Sequence, residues 1–396
     1  MSHESSPTYQ NHARGKRRRK MAISIFLVTA VTLCIGVSAL FGWLWTQPSV
    51  SLTDQFSDAT FRQCVADALG TSPDSRVSRH DLSRLDHLRC RDQDGARITS
   101  ISGIERLTGL KALDMKTSEP LVDISPLASV RSLREVTLHG TEDLRPLETL
   151  PHLERLQLVG TSGGRTYKPQ LGSLRSMTSL REFVLIASGI SDLSPVGQAR
   201  SLTSLHLAST PVNDLSPLEK LTRLESVTLS PSDGPIPDLS PLAALPSLTE
   251  VSLLAGNATG QIDIGALAGS RSITSLSVAL SFGQPPDALV GALSLGDLAT
   301  LQELTLGLLP EETDLSWVGS LANLRSFMLI NSDITDISPL GGLPHLSSVT
   351  LLSVPVESVA PLTRCPELKT VHLEDTGKVG DLDSLEKLPG VTVTQR

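Results

Sequence analysis

The chain has 396 residues, of which 39% are hydrophobic, 19% charged and only 3% aromatic, and a net charge of −8. The apolar content excludes a disordered chain, four cysteines exclude a disulfide-dense mini-domain, and the acidic balance excludes a nucleic-acid-coating surface. Twelve aromatic residues in this length require a core filled by Leu, Ile, Val and Ala.

Residues 1–20 are polar and end in Lys16-Arg17-Arg18-Arg19-Lys20, expected as a cytoplasmic tail. Residues 21–45 carry no charge and close on Trp43 and Trp45. As a helix they reach about 37 Å, enough for a hydrocarbon core of about 30 Å. With the basic run on the near side, a transmembrane signal anchor is expected, with the C-terminal domain extracellular or periplasmic. The rival reading is a cleaved signal peptide ending near Val37-Ser38-Ala39, but apolar residues continue beyond it. Cys34 is weaker as a lipoprotein cysteine, because Leu33 stands where a small residue belongs. Beside an apolar 25-mer, the basic run reads as a topology signal rather than a nuclear one. The tail sets six cations against Glu4, so the remainder of the chain carries −13.

Residues 46–55 are expected as a linker and 56–97 as a helical cap. Phe61, Cys64, Val65, Ala68 and Leu69 follow helical spacing, Asp58 can cap that helix and Gly70 can end it. Leu82, Leu85 and Leu88 mark a second piece. Cys64 and Cys90 are expected to form a disulfide closing a loop of about 26 residues. The alternative is two buried thiols.

Residues 98–396 repeat one pattern. The frame L-x-x-L-x-L begins at Leu110, Leu133, Leu153, Leu180, Leu202, Leu224, Leu248, Ile273, Leu301, Leu324, Leu346 and Leu368. Between frames stands Asp-Ile-Ser-Pro-Leu (123–127, 336–340), Asp-Leu-Ser-Pro-Leu (214–218, 238–242) or a variant. In Leu205-His-Leu207 the apolar residues alternate with outward positions, the period of a strand. Ser216-Pro217 reads as a cap and first residue of a short helical or 3₁₀ turn, with Leu218 and Leu221 facing inward. Hydroxyls recur after the strands at Ser118, Thr141, Thr161, Ser188, Thr210, Ser232, Ser332 and Thr376, where they can bond turn N–H groups.

This pattern resembles the leucine-rich repeat, and within it the bacterial internalin-like type with 22-residue repeats. The resemblance implies an α/β solenoid of about 12 repeats, with a parallel sheet on the concave face and short 3₁₀ or helical turns on the convex face. It implies recognition of another protein, or of a glycan, at the cell envelope. A scaffold for another envelope or membrane protein is the alternative, because no wall-sorting motif follows the repeats.

Enzyme chemistry finds little support. Gly160-Thr-Ser162-Gly-Gly164 matches G-x-S-x-G, but Arg165-Thr-Tyr-Lys-Pro169 follows where a nucleophile elbow needs a helix. No cofactor or metal site is expected. His139, His206 and His372 lie too many strands apart to share a metal. The aspartates at 123, 143, 192, 214, 238 and 336 form a column that could hold Ca²⁺, but fit better as acceptors for their own turns. Asn257-Ala-Thr259 is a glycosylation sequon, meaningful only in a eukaryotic secretory pathway. Partner-contact candidates are of two kinds. Outward strand positions are mostly small (Ser204, Ser226, Thr228, Ser252, Ser275, Ser277, Thr350), with apolar exceptions at Val184, Ile186, Leu254 and, on adjacent copies, Met328, Ile330 and Leu352. The longer repeats place extra residues after the strand at 163–169, 232–237, 255–261 and 282–287, bringing Tyr167 and Phe282 to one rim.

Overall fold

The computed structural model describes residues 49–396, apart from 94, 122, 161–167, 173, 232–233, 256–259 and 281–287. Fourteen strands form one sheet in sequence order. They are β3 (His87–Arg91), β4 (Ala112–Lys116), β5 (Glu135–His139), β6 (Arg155–Val159), β7 (Glu182–Ile186), β8 (Ser204–Thr210), β9 (Ser226–Pro231), β10 (Glu250–Leu254), β12 (Ser275–Ala279), β14 (Glu303–Gly307), β15 (Ser326–Ile330), β16 (Ser348–Leu352), β17 (Thr370–Glu374) and β18 (Thr392–Gln395). Two further pairs lie outside it: β1 (Ser49–Ser51) with β2 (Arg76–Ser78), and β11 (Ile262–Asp263) with β13 (Leu289–Val290). All neighbours in the large sheet are parallel. Twelve strands carry the twelve frames; the others are contributed by the cap and by residues 392–395.

Each coil follows from its apolar spacing. In Leu215, Leu218, Leu221 and Leu224 the period is three, and all four are buried. A helix with three residues per turn puts such a series on one face, so the chain forms 3₁₀ turns. Leu218 N–H donates to Leu215 C=O at 2.9 Å, Leu221 to Leu218 at 2.8 Å and Leu224 to Leu221 at 2.9 Å. The period then changes to two in β9, where Val227 and Leu229 point inward. Both periods feed one continuous aliphatic core.

The Ser-Pro turns are capped differently from the sequence expectation. Ser216 is the first residue of the turn Ser216–Lys220, and its side chain caps nothing. Asp214 Oδ1 instead accepts the Ser216 N–H at 2.9 Å. The same bond recurs at Asp123, Asp143, Asp192, Asp238, Asp314 and Asp336, at 2.7–3.1 Å. An aspartate two residues upstream reaches that N–H through its own side chain, an arrangement a serine inside the turn lacks.

After the strands the chain turns sharply. Gly140, Ala187, Ser209, Leu308, Asn331, Ser353 and Asp375 all have φ between 48° and 66°. Their N–H groups extend the ladder to the next coil, as in Ala187 to Ala208 C=O (2.9 Å) and Asn331 to Leu352 C=O (2.8 Å). The next residue is often a buried hydroxyl: Thr141, Ser188, Thr210, Ser332 and Thr376. In the first full repeat the buried hydroxyl is Thr117, bonded to His139 C=O at 3.4 Å, while Ser118 faces solvent.

The cap starts earlier than expected. Residues 49–55, read above as part of a linker, are folded: β1 pairs antiparallel with β2, Leu52–Gln55 is a helical turn, and Leu52 is fully buried. Leu52 and Phe56 enter the same core as Phe61, and the two rings meet edge to face with centroids 5.7 Å apart. The cap helix runs Ala59–Ala68 behind Asp58 and buries Phe61, Cys64, Val65 and Ala66, while Ala68 is exposed. Cys64 is bonded to Cys90 of β3, with their Cα atoms 5.6 Å apart. Gly103 (φ 100°) passes so close that a Cβ there would lie 2.1 Å from Gln55 C=O. Among the described residues no helix is long and apolar enough to cross a membrane; residues 21–45 lie outside them.

Candidate functional site

The concave face presents three parallel lanes, because each five-residue strand turns residues 1, 3 and 5 outward. The first lane mixes charge and hydroxyl: Glu135, Arg155, Glu182, Ser204, Ser226, Glu250, Ser275, Glu303, Ser326 and Ser348. Arg155 bridges to Glu182 at 2.8 Å across the coil boundary. The middle lane is mostly hydroxyl, with Thr228, Ser252, Ser277, Thr305 and Thr350, broken by Val184, His206 and Met328.

The third lane is mostly apolar over nine consecutive strands. Val159, Ile186, Ala208, Ser230, Leu254, Ala279, Gly307, Ile330 and Leu352 follow one another in register, with one serine among them. At about 4.8 Å per strand the lane is about 38 Å long. Leu254 is 38% exposed, Gly307 is buried, and the others are half-buried. Its ends are charged: Arg91 and Lys116 pair on β3 and β4, and Glu374 follows Leu352 on β17.

Met328, Ile330 and Leu352 therefore do come together. Ile330 is paired with Leu352, and Met328 sits one outward position earlier on the same strand as Ile330. The sequence grouped these three by copy and missed the lane, because Val159, Ala208 and Ala279 are unremarkable until the register aligns them with Ile186 and Leu254. Tyr167 and Phe282, with most of the extra residues of the long repeats, lie outside the described residues. Two consecutive long repeats do share one local feature: Ile262–Asp263 pairs with Leu289–Val290 beyond the main sheet.

The titratable groups are structural. Side-chain and backbone bonds from Arg145 hold Asp143 down to about 2. Hydrogen bonds from Ser125 and Ser194 hold Asp123 and Asp192 below the usual carboxylate range, and those from Ser240 and Ser316 do the same for Asp238 and Asp314. Each of these carboxylates is committed to its own turn. Burial pushes His139 and His206 down, which keeps both rings neutral at pH 7. Among the described residues no three His, Cys, Asp or Glu side chains are grouped to hold a metal ion. Cys365 is buried, and its thiol donates to Leu340 C=O at 3.2 Å in the preceding coil.

A parallel sheet built on twelve leucine-rich coils, with 3₁₀ turns between the strands, defines a leucine-rich repeat solenoid. Of solved structures, the chain is similar to an internalin, InlF, from Listeria monocytogenes, at 24% identity and a TM-score of 0.63, covering 88% of this chain and 98% of that one. It is also similar to internalin C2 of that organism (22% identity, 76% and 97% covered, TM-score 0.34). A third similarity is to the functional domain of its InlJ (16% identity, 83% and 82% covered, TM-score 0.39), which includes a cysteine ladder. At 24% identity the likeness to InlF is one of fold. No family model and no curated protein sequence matches the chain.

Proposed function

We propose that the protein is a non-catalytic recognition module, held in a membrane by residues 21–45 with its N-terminus cytoplasmic and its solenoid on the far side, and that its concave face binds another protein. The nine-strand apolar lane carries this reading. Isolated apolar surface residues are ordinary, whereas a contiguous set beside polar lanes marks an interface. A partner presenting an apolar ridge would bury the lane and leave its polar flanks to the hydroxyl rows. A glycan fits less well, because among the described residues the face lacks the aromatic platforms that stack on sugar rings.

The test is photo-crosslinking from Ile330 in the full chain, followed by the triple substitution M328S/I330S/L352S. The parent chain is expected to capture a discrete protein. The triple variant, checked for folding by its thermal melt, should weaken capture at least about tenfold, as loss of central apolar anchors does. Unchanged capture by a folded variant rejects the concave face as the site.

A second reading is favoured by the position of the cap. Ser49 is already in a strand, so only residues 46–48 separate the end of the apolar segment from folded protein. That closeness suits a scaffold for another envelope or membrane protein better than a receptor for a distant host surface. Capture from envelope fractions rather than host-cell lysate distinguishes the two.

A further inference from the structure

The outer side of coils 4 to 6 carries a groove of about 620 Å³ lined by Arg175, Arg200, Lys220 and Arg223. Among the described residues no carboxylate lines it, although the chain outside its tail is strongly acidic. Some cations elsewhere are paired across coil boundaries: Arg97 meets Glu119 at 3.1 Å, Arg155 meets Glu182 at 2.8 Å, and Arg134 is bonded to Glu154. Within the described residues none of the four groove cations has such a partner. The groove is therefore a local reversal of the sign of the surface.

Stacking creates this cluster. The three arginines sit on three successive coils, and Gly197 keeps the middle coil tight, since a Cβ there would lie 2.3 Å from Pro217 C=O. The groove consequently crosses the coils and runs along the solenoid axis. We propose that it binds a linear polymer bearing phosphate groups, laid across the coils so that successive phosphates meet successive guanidinium groups. Three features choose this occupant. Guanidinium presents a planar fork of donors that matches phosphate oxygens bidentately. Like charges held together without counter-charge concentrate a polyanion and release its counterions on binding. The groove is recessed, and the large apolar side chains exposed among the described residues are Leu254 and Leu293, neither of which lines it, so a membrane surface is a poor fit. This site is independent of the concave lane.

The probe is fluorescently labelled inorganic polyphosphate, read by anisotropy in nonionic detergent with a full-length parent in which Arg14, Lys16, Arg17, Arg18, Arg19 and Lys20 are changed to Ser, so that the basic tail does not bind it. The parent chain should bind, and raising salt from about 50 to about 200 mM should weaken binding at least about tenfold. R175S/R200S/R223S should weaken it at least about tenfold. R271S/R325S/K369S, which removes the same charge from exposed positions elsewhere, should change it less than about twofold. Thermal melts of the two variants confirm that both are folded. Absence of binding by the parent, equal losses in both variants, or preference for poly-aspartate or for anionic vesicles over polyphosphate would each overturn the proposal.

Discussion

Asp58 joins the cap helix to the first repeat with a single carboxylate. Oδ1 accepts Phe61 N–H at 2.8 Å, and Oδ2 accepts Thr99 N–H and hydroxyl at 2.8 Å and Ser100 N–H at 3.2 Å. Burial raises its pKa, but these four bonds outweigh burial and leave it lowered. A depressed carboxyl contributes stability that is complete above the ordinary value of about 4 and is lost as pH falls through its folded value. Urea titration of the parent should therefore show stability flat above about pH 5 and falling below about 4. Asp58→Ala should cost about 1–2 kcal/mol at pH 7 and flatten part of that fall; an unaltered pH profile would remove Asp58 from this role. The helix-capping half of its function was legible from one short stretch of sequence. The hold on Thr99, 41 residues away, was not, because it exists only once the chain has folded back. Ser358 shows the same limit. It stands where other copies carry the turn aspartate, and Asp381 of the next coil supplies the carboxylate, accepting Val359 N–H at 2.9 Å and Ala360 N–H at 3.0 Å.

The elements divide by how local their causes are. Strands and 3₁₀ turns were readable because periods of two and three are written within each 22-residue copy. The cap was readable only in part. Leu52 and Phe56 carry helical spacing, but two apolar residues beside a long apolar segment do not declare which fold they join. Its helix is tied to β3, the first strand of the sheet, by the Cys64–Cys90 disulfide, which closes a 26-residue loop. Loss of that loop closure should cost about 3 kcal/mol. Coils contact only their neighbours, so the loss should be local. In hydrogen exchange of C64S/C90S, amides of β3 and β4 should exchange faster while those of β15 and β16 stay protected. Uniform acceleration along the sheet would contradict nearest-neighbour coupling. Gly103→Ala probes the same junction from the repeat side. With φ at 100° and Gln55 C=O in the way, it should destabilise by about 2–4 kcal/mol in urea titration.

At the scale of the whole molecule, the solenoid was legible because twelve copies repeat one frame, whereas its two surface features were not. The apolar lane and the cationic groove both gather residues about 20–28 positions apart, and only coil stacking makes them neighbours. The start of the cap at Ser49 has a further consequence for a chain anchored through residues 21–45. A linker of ten residues would let the solenoid reach about 33 Å from the bilayer, whereas residues 46–48 allow about 11 Å. The cap would then ride at the membrane surface, and the concave lane would sweep a thin shell above it. Search for a partner in the same membrane becomes nearly two-dimensional, at an effective concentration set by that short tether. Inserting fifteen Gly/Ser residues between 48 and 49 should weaken capture of a co-resident membrane partner several-fold and leave binding of a soluble one unchanged.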